Sequence, residues 1–334
     1  GNVGYVRLSQ FSANTTRDLT AAIAQQRAEA GGKLAGFVLD LRGNPGGLLE
    51  QAVEVSDLFL GDGVIVKTVG EGRRMHQVTK ASSDPGDLTT LPLVVLVNNS
   101  SASASEIVAG ALKNNDRALV VGRTTFGKGS VQVLYDFNEP GPDGNEAALK
   151  LTIAQYLTPG DISIQETGIT PDVLLLPGRA LKESVNAFAP PRMMGEADLD
   201  RHFTNGEKQS DPVEGSADAA KPKRVEKAPL ELRYLLSESE DALAKKLKSE
   251  AARPPHEDGL ELTPEQQEDE ESEANPDEFV EDFQIRFARE LLGRGGFPTR
   301  TKQMESAKAF VAERKAEESK RLEKALAALG VDWS

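Results

Sequence analysis

The 334-residue sequence contains no cysteine, which excludes disulfides, thiol catalysis and cysteine-ligated metal sites. It contains three histidines, His76, His202 and His256, and none of them lies in a recognisable catalytic motif. It also lacks any apolar run of about 18 residues, so we expect no transmembrane helix in this chain. Nucleophilic catalysis here would need a hydroxyl group together with a base other than histidine.

Basic residues are scarce in one part of the chain. The net charge is −14, and residues 257–282 contain 13 Asp or Glu and no Lys or Arg. Such a block repels phosphate groups, so we expect no nucleic-acid binding. The composition is typical of a solvated spacer, and a docking tail for a basic partner is the alternative.

Strand and helix patterns alternate through residues 1–178. Residues 16–29 have the spacing of an amphipathic helix, and 91–97 form a continuous apolar run typical of a strand buried on both faces. Long strands are predicted at 130–137 and 147–157. Repeated alternation of this kind predicts an α/β fold with a largely parallel sheet.

The composition changes after residue 178. We predict a core-flanking segment at 179–205 and an acidic, polar linker at 206–277, with a candidate helix at 230–249. Residues 278–334 are predicted to form the C-terminal helices.

The C-terminal helices carry their own start and burial signals. Asn275 is followed by proline and two acidic residues, which is typical of a helix start. Phe279, Phe283, Phe287 and Leu291 then recur every four residues, a stripe that must bury against another surface. We therefore expect these helices to dock, either on the rest of the chain or across a subunit boundary.

Two short motifs place a serine and a lysine at a fixed interval. Ser103 lies in SASASE at the exit of an apolar strand, and Lys128 follows 25 positions later between two glycines. A serine needs a base to act as a nucleophile, and a sheltered lysine amine can serve where no histidine is available. Gln132, four positions further on, can accept a hydrogen bond from that amine and orient it.

The residues around Ser103 also have a purely structural interpretation. Ser103 and Glu106 match the capping-box pattern, in which a serine caps a helix and the acid reaches back. The same position suits a nucleophile, because a helix N-terminus offers free backbone N–H groups to an oxyanion. Ser101 and Ser105 are competing candidates for the nucleophile.

A second pattern in the same region is the phosphate-binding sequence GxxxxGK, which residues 122–128 match. A nucleotide site needs Ser or Thr after the lysine and then a helix. This chain has Gly129 next, followed by a strand pattern. The sequence therefore argues against nucleotide binding.

Five motifs, taken in order, resemble the carboxyl-terminal processing proteases, the tail-specific serine peptidases of bacteria and chloroplasts. The resemblance covers about residues 1–205. The motifs are DLRGNPGG at 40–47, SASASEI at 101–107, FGKGSVQ at 126–132, KLTIAQYLTP at 150–159 and SIQETGITPD at 163–172.

The resemblance implies a fold and a set of site residues. The fold would be a spiral of β-β-α units, similar to the crotonase and Clp-protease superfold, followed by a helical, partly disordered C-terminal extension. Ser103 would be the nucleophile, Lys128 the base, and Gln132 the residue that orients the lysine. The oxyanion hole would combine the backbone N–H groups of Ala104 and of Gly46 or Gly47. Asp40 and Arg42 are expected to hold the glycine turn together.

The resemblance also implies substrates and a location. We expect protein or peptide substrates with accessible C-termini, a bacterial envelope and periplasmic location, and no metal or cofactor. A PDZ domain precedes the core in this family, and the sequence begins where that domain would have ended, so we expect a segment of a longer precursor. The sequence leaves a homo-oligomer or an activating partner open. The alternative function is a catalytically silent peptide-binding protein on the same fold.

Overall fold

The computed structural model describes residues 2–70, 74–82, 86–137, 147–181, 184–186, 195–199, 228–236 and 281–330. The strands, in chain order, are β1 (Val3–Arg7), β2 (Gly36–Asp40), β3 (Val64–Val69), β4 (Met75–Lys80), β5 (Leu93–Val97), β6 (Leu119–Gly122), β7 (Ser130–Phe137), β8 (Ala147–Thr158), β9 (Ile162–Ser163), β10 (Val173–Leu181), β11 (Ser184–Asn186) and β12 (Leu230–Leu235). The helices are α1 (Thr15–Glu29), α2 (Leu49–Phe59), α3 (Ala104–Asn114), α4 (Phe283–Gly293) and α5 (Arg300–Ala328).

Seven of the described strands form one sheet in the order β1-β2-β5-β6-β10, with β11 and β12 beside β10. Every pairing in it is parallel except that of β10 with β11. The register is continuous across the centre, where Val38 pairs with Tyr5 on one side and Val94 on the other. The fold is therefore mixed α/β with a largely parallel sheet, as the sequence predicts.

One face of this sheet packs against the three helices that connect its strands. Alternate residues such as Phe37, Leu93 and Val95 join a core with α1, α2 and α3. The helices contribute their apolar faces, including Leu19 and Ile107. We call this side the inner face; it follows from parallel strands, whose crossover helices must lie over the sheet.

The outer face of the same sheet packs against α4 and α5. Val38, Val94 and Leu96, which alternate with the inner-face residues, contact a second core that includes Phe287 and Phe310. The helical C-terminal region therefore docks on the sheet within the same chain, which confirms the predicted burial of the stripe from Phe283 to Leu291. Phe279 lies outside the described residues.

A smaller sheet, which contacts α2 and α3, contains β4, β3, β8 and β7 in that order, with β9 next to β8. All its described pairings are antiparallel. The predicted strands at 130–137 and 147–157 are confirmed as β7 and β8. β7 begins two residues after Lys128, so the edge of this sheet starts at the lysine motif.

Two predictions about the C-terminal half are wrong. Residues 230–235 form strand β12 rather than the start of a helix, because Leu232 and Tyr234 alternate inward and pair alongside β10. Helix α4 begins at Phe283 with Asp282 as its N-cap, not at Asn275, because residues 281–282 are not helical. The rest of the predicted helix at 230–249 and the residues 275–280 lie outside the described part of the chain.

The final predicted helix, from about residue 302 to 329, is confirmed as α5. No helix in the described ranges has both the length and the apolar character to cross a membrane.

Candidate active site

Three neighbouring strands of the parallel sheet end at the same edge and carry the candidate residues. The glycine turn at 40–47 follows β2, the serine motif at 101–105 follows β5, and the lysine motif at 123–129 follows β6. The carboxyl ends of adjacent parallel strands meet at one edge, where ligands bind in open α/β sheets. Sequence motifs up to 88 positions apart (from 40 to 128) are thus brought together.

Ser103 is the residue at which the chain turns from β5 into helix α3. Its backbone has φ 54° and ψ −112°, outside the extended conformation of an ordinary N-cap. A non-glycine residue with positive φ is uncommon and costs free energy, and such residues cluster at functional sites. The side chain is partly exposed, whereas the rest of the first turn of α3 is buried.

The hydroxyl groups of the two competing serines are already engaged in hydrogen bonds. Ser101 is fully buried and its Oγ donates to the Leu41 carbonyl at 2.8 Å. Ser105 is also fully buried and its Oγ donates to the Asn44 carbonyl at 2.9 Å. Both hydroxyls hold the glycine turn against the start of α3, which leaves Ser103 as the serine of this motif that solvent can reach.

The lysine motif is pressed against the loop at 164–168. A methyl group on Gly129 would lie 2.8 Å from the backbone nitrogen of Gln165, and one on Gly127 would lie 3.1 Å from the carbonyl carbon of Glu166. The two glycines therefore permit a backbone approach that a side chain would block. Lys128, between them, is half-buried.

Glu106 connects the serine motif to the lysine motif. Its fully buried carboxylate accepts hydrogen bonds from the backbone N–H groups of Ser103 and Lys128 through Oε2, both at 2.9 Å. Oε1 accepts from the Thr125 hydroxyl at 2.6 Å and from the Gly127 N–H at 2.7 Å. Burial raises the pKa of Glu106 to about 7, although these four donors act in the opposite direction.

The glycine turn lies directly against Ser103. A methyl group on Gly46 would be 2.9 Å from the Ser103 Cβ and 3.0 Å from the Ala104 nitrogen. The turn is anchored by Asn44, whose Nδ2 donates to the Leu8 carbonyl and whose carbonyl accepts the Ala102 N–H. The close approach requires glycine at position 46, where φ is 109°.

Two backbone N–H groups in the serine motif and the glycine turn make no hydrogen bond within the described part of the chain. The N–H of Ala104, the first residue of α3, and that of Gly47 have no hydrogen-bond acceptor among the described residues. The Gly46 N–H, by contrast, donates to Asn44 Oδ1 at 2.9 Å. The geometry therefore distinguishes the two glycines that the sequence left equivalent.

Asp40 and Arg42 hold the base of the turn together, as expected. Arg42 donates from Nε and from a terminal nitrogen to the buried Asp40 carboxylate, and the Tyr5 hydroxyl donates to the same group. Arg42 also donates to Asp282 at 2.6 Å, which joins the turn to the N-terminus of α4. Burial and the Asp40 carboxylate raise the pKa of Tyr5 well above its usual value.

The candidate residues are connected by hydrogen bonds to their backbones rather than by hydrogen bonds between their side chains. Within the described residues, no hydrogen bond links the Lys128 amine to the Ser103 hydroxyl or to Gln132. Gln132 lies on β7 with its side chain exposed. Sequence reasoning missed the roles of Asn44 and of Glu106; the capping-box pattern pointed to the second, but only as a local helix cap.

Curated proteins that are similar in sequence to this chain include two processing proteases with nearly the same name. The chain is 46% identical over 219 residues to a carboxy-terminal-processing protease of Bartonella bacilliformis, a match that covers 65% of this chain and 48% of that protein. It is 45% identical over 170 residues to a carboxyl-terminal-processing protease of Picosynechococcus, covering 51% of this chain and 38% of that one. The chain thus spans about half, or less, of the length of these curated relatives.

A solved structure and a family model also match this chain. The structure of a photosystem II D1 C-terminal processing protease is 38% identical with a TM-score of 0.46, and the match covers 52% of this chain and 42% of that one. The sequence model of Peptidase family S41 matches residues 2–175, which contain all three loops of the site. The chain belongs to peptidase family S41.

Proposed function

We propose that this protein is a serine endopeptidase that cleaves proteins near their C-termini, with Ser103 as the nucleophile and Lys128 as its base. The observation that supports the proposal is that three loops meet at the carboxyl ends of the neighbouring strands β2, β5 and β6. These three adjacent loops supply a partly exposed serine with positive φ, a half-buried lysine and two backbone N–H groups that lack an acceptor among the residues the structure describes. Membership of family S41 supports the same reaction class.

The proposed reaction runs through an acyl-enzyme. Lys128, in its neutral form, takes the hydroxyl proton of Ser103 as the oxygen attacks the substrate carbonyl carbon. The resulting ammonium group then gives that proton to the leaving amine as the peptide bond breaks. In the second half Lys128 removes a proton from water as the water oxygen attacks the ester carbon. The ammonium group then returns that proton to Ser103 Oγ as the ester C–O bond breaks, which restores both residues and releases a new carboxyl terminus. Gln132 would orient the amine once substrate orders the site.

The negative charge on the tetrahedral oxygen would be stabilised by backbone donors. Ala104 N–H stands at the positive end of the α3 dipole, which favours an anion. Gly47 N–H is the preferred second donor, because the Gly46 N–H already donates to Asn44. Gly46 would serve instead by allowing the turn to approach Ser103 closely.

The substrates and the location extend the proposal. The curated relatives are carboxyl-terminal-processing proteases, so we propose substrates with accessible C-termini. We further propose a bacterial envelope, periplasmic location.

A digestion assay on the full-length protein, as its gene encodes it, tests the proposal. Ser103→Ala and Lys128→Ala should each lower casein cleavage by about 1,000-fold or more, with circular dichroism unchanged. Lys128→Arg should be equally inactive, because a guanidinium group does not deprotonate at usable pH. Ser101→Ala tests the competing serine: it should stay far more active than Ser103→Ala, although it loses the Oγ hydrogen bond that holds the glycine turn. Full activity in Lys128→Ala would exclude the lysine as the base.

The substrate class has a separate test. Peptides with apolar C-termini should be cleaved faster as free acids than as amides, since C-terminal recognition depends on the carboxylate. Equal rates on the two forms would contradict C-terminal recognition without affecting the dyad. Peptide binding without cleavage by the unmodified protein would favour the silent peptide-binding alternative.

A further inference from the structure

We propose that Glu106 is a positioning residue for catalysis, one that fixes the separation between the backbones of the nucleophile and of the base. The inference rests on the proposed roles of Ser103 and Lys128. It assigns to Glu106 more than the capping of one helix, because its carboxylate contacts the lysine motif as well as the start of α3.

The contacts of the carboxylate span the two halves of the candidate dyad. Oε2 accepts the N–H of Ser103 and the N–H of Lys128, each at 2.9 Å, so one oxygen atom bridges both backbones. A helix cap would need only the first of these bonds. The second makes the position of the lysine loop depend on the same atom that holds the nucleophile.

The other oxygen binds the lysine motif a second time and is linked through Thr125 to a third segment. Oε1 accepts from the Thr125 hydroxyl and from Gly127 N–H, at 2.6 and 2.7 Å. The Thr125 hydroxyl oxygen accepts in turn the N–H of Ile169 at 2.7 Å, which fixes the end of the 164–168 loop packed against the lysine motif. One buried group thus connects α3, the lysine loop and the loop behind it.

The arrangement requires a carboxylate of this length. Two oxygens offer about four acceptor positions, and all four are occupied by donors. Glutamine in either orientation would turn an NH2 group toward two of those donors and leave them without an acceptor. Aspartate keeps the charge but is shorter by one methylene group, so it cannot reach both loops.

Glu106 acts from behind the site rather than on the substrate. Its exposed fraction is 0%, so it cannot contact a bound peptide in this arrangement. A residue that only positions the reacting groups should change kcat and leave KM nearly unaltered, since substrate binding does not depend on it. A residue needed only for stability would alter unfolding and leave the kcat of the folded enzyme unchanged.

The test compares two buried glutamates in the full-length protein. Glu106→Gln should lower kcat on a short peptide by about 100-fold, with KM within about threefold, because small misplacements of reacting groups have effects of that size. Glu318→Gln is the matched control: Glu318 is also buried and accepts a backbone N–H, from Leu235 at 2.9 Å, but it lies on α5. It should keep kcat within about twofold. Unchanged kcat in Glu106→Gln, or equal losses in the two variants, would overturn the inference.

A milder pair of substitutions keeps the test decisive if Glu106→Gln fails to fold. Thr125→Val removes one of the four donors and should lower kcat by about tenfold, whereas Thr125→Ser keeps the hydroxyl and should stay within about twofold. Equal activity in both would overturn the inference. Ser103→Ala and Lys128→Ala are measured in the same assay: if either is active, the proposed function fails; if both are inactive while Glu106→Gln is active, only this inference fails.

Discussion

The two faces of the parallel sheet are covered by parts of the chain that differ in sequence distance. The inner face packs against α1, α2 and α3, which directly connect the strands they cover. The outer face packs against α4 and α5, which begin about 100 residues after β10 ends. The candidate active site is formed by loops at the carboxyl ends of the strands, and the Arg42–Asp282 ion pair joins it to the outer helices.

This difference shows how the outer layer is held. The inner helices directly connect strands of the sheet, so they must lie over it. The outer helices do not connect neighbouring strands, so chain connectivity alone does not hold them on the sheet. They are held by apolar burial and by specific polar contacts, including Arg300 with Asp172 and Arg117 with the Pro298 carbonyl. The family S41 match ends at residue 175, so the outer layer lies beyond the region common to that family model.

The largest expected effect is on the free energy of unfolding when one core side chain is truncated in each layer. Phe37→Ala on the inner face and Phe310→Ala on the outer face each remove a side chain that is at most 1% exposed, and each should lower the free energy of unfolding by about 3–5 kcal/mol locally. We expect Phe37→Ala to raise hydrogen exchange throughout the sheet, and Phe310→Ala to raise it mainly in α4 and α5. Equal exchange in β5 for both variants would show that the two layers unfold as one unit.

A smaller effect is expected on the pH dependence of the free energy of unfolding, and it arises from Glu106 on the inner helix α3. Burial raises the pKa of Glu106 to about 7, so between about pH 4.5 and 7 the folded state keeps a proton that the unfolded state releases. The stability linked to that proton is fully present below about pH 4.5 and is lost as pH rises through 7. The free energy of unfolding should fall by about 2–3 kcal/mol more between pH 5 and pH 8 in the unmodified protein than in Glu106→Gln. Parallel urea-unfolding curves for the two proteins at both pH values would contradict this.

The smallest expected effect concerns the link between the layers. Asp282 accepts the Ile285 N–H as the cap of α4 and pairs with Arg42, so Asp282→Ala should destabilise α4 by about 1–2 kcal/mol. Asp282→Asn keeps the cap and loses the charge, and should cost less than about 1 kcal/mol. Hydrogen exchange at the start of α4 measures both. The same loss in the two variants would mean that the ion pair, and not the cap, fixes this helix end.

The parts of the molecule that the sequence predicts well are those in which one local pattern suffices. The apolar run at 91–97 predicts a buried strand, and the stripe through Phe283 and Phe287 predicts a buried helical face. Strand β12 was missed because its six residues pair alongside β10, about 55 positions away, and their alternation is too short to outweigh a helical interpretation. The start of α4 was misplaced because Asp282 caps it while held by Arg42, a contact that Asn275 could not reveal.

The candidate site shows the same division. Residue types pointed to a serine with a lysine base, because serine activation requires a base. The resemblance to the carboxyl-terminal processing proteases then selected Ser103 and implied that the glycine turn contributes to the oxyanion hole. Only the tertiary structure showed that the hydroxyl groups of Ser101 and Ser105 make buried hydrogen bonds. It also showed that the N–H of Gly46, unlike that of Gly47, donates to Asn44. The Glu106 carboxylate was likewise found between the serine motif and the lysine motif only in the structure. The physical reason is that chemistry is carried by side-chain type, which is written locally. Burial, hydrogen-bond satisfaction and the meeting of loops at a sheet edge depend on how distant strands pair.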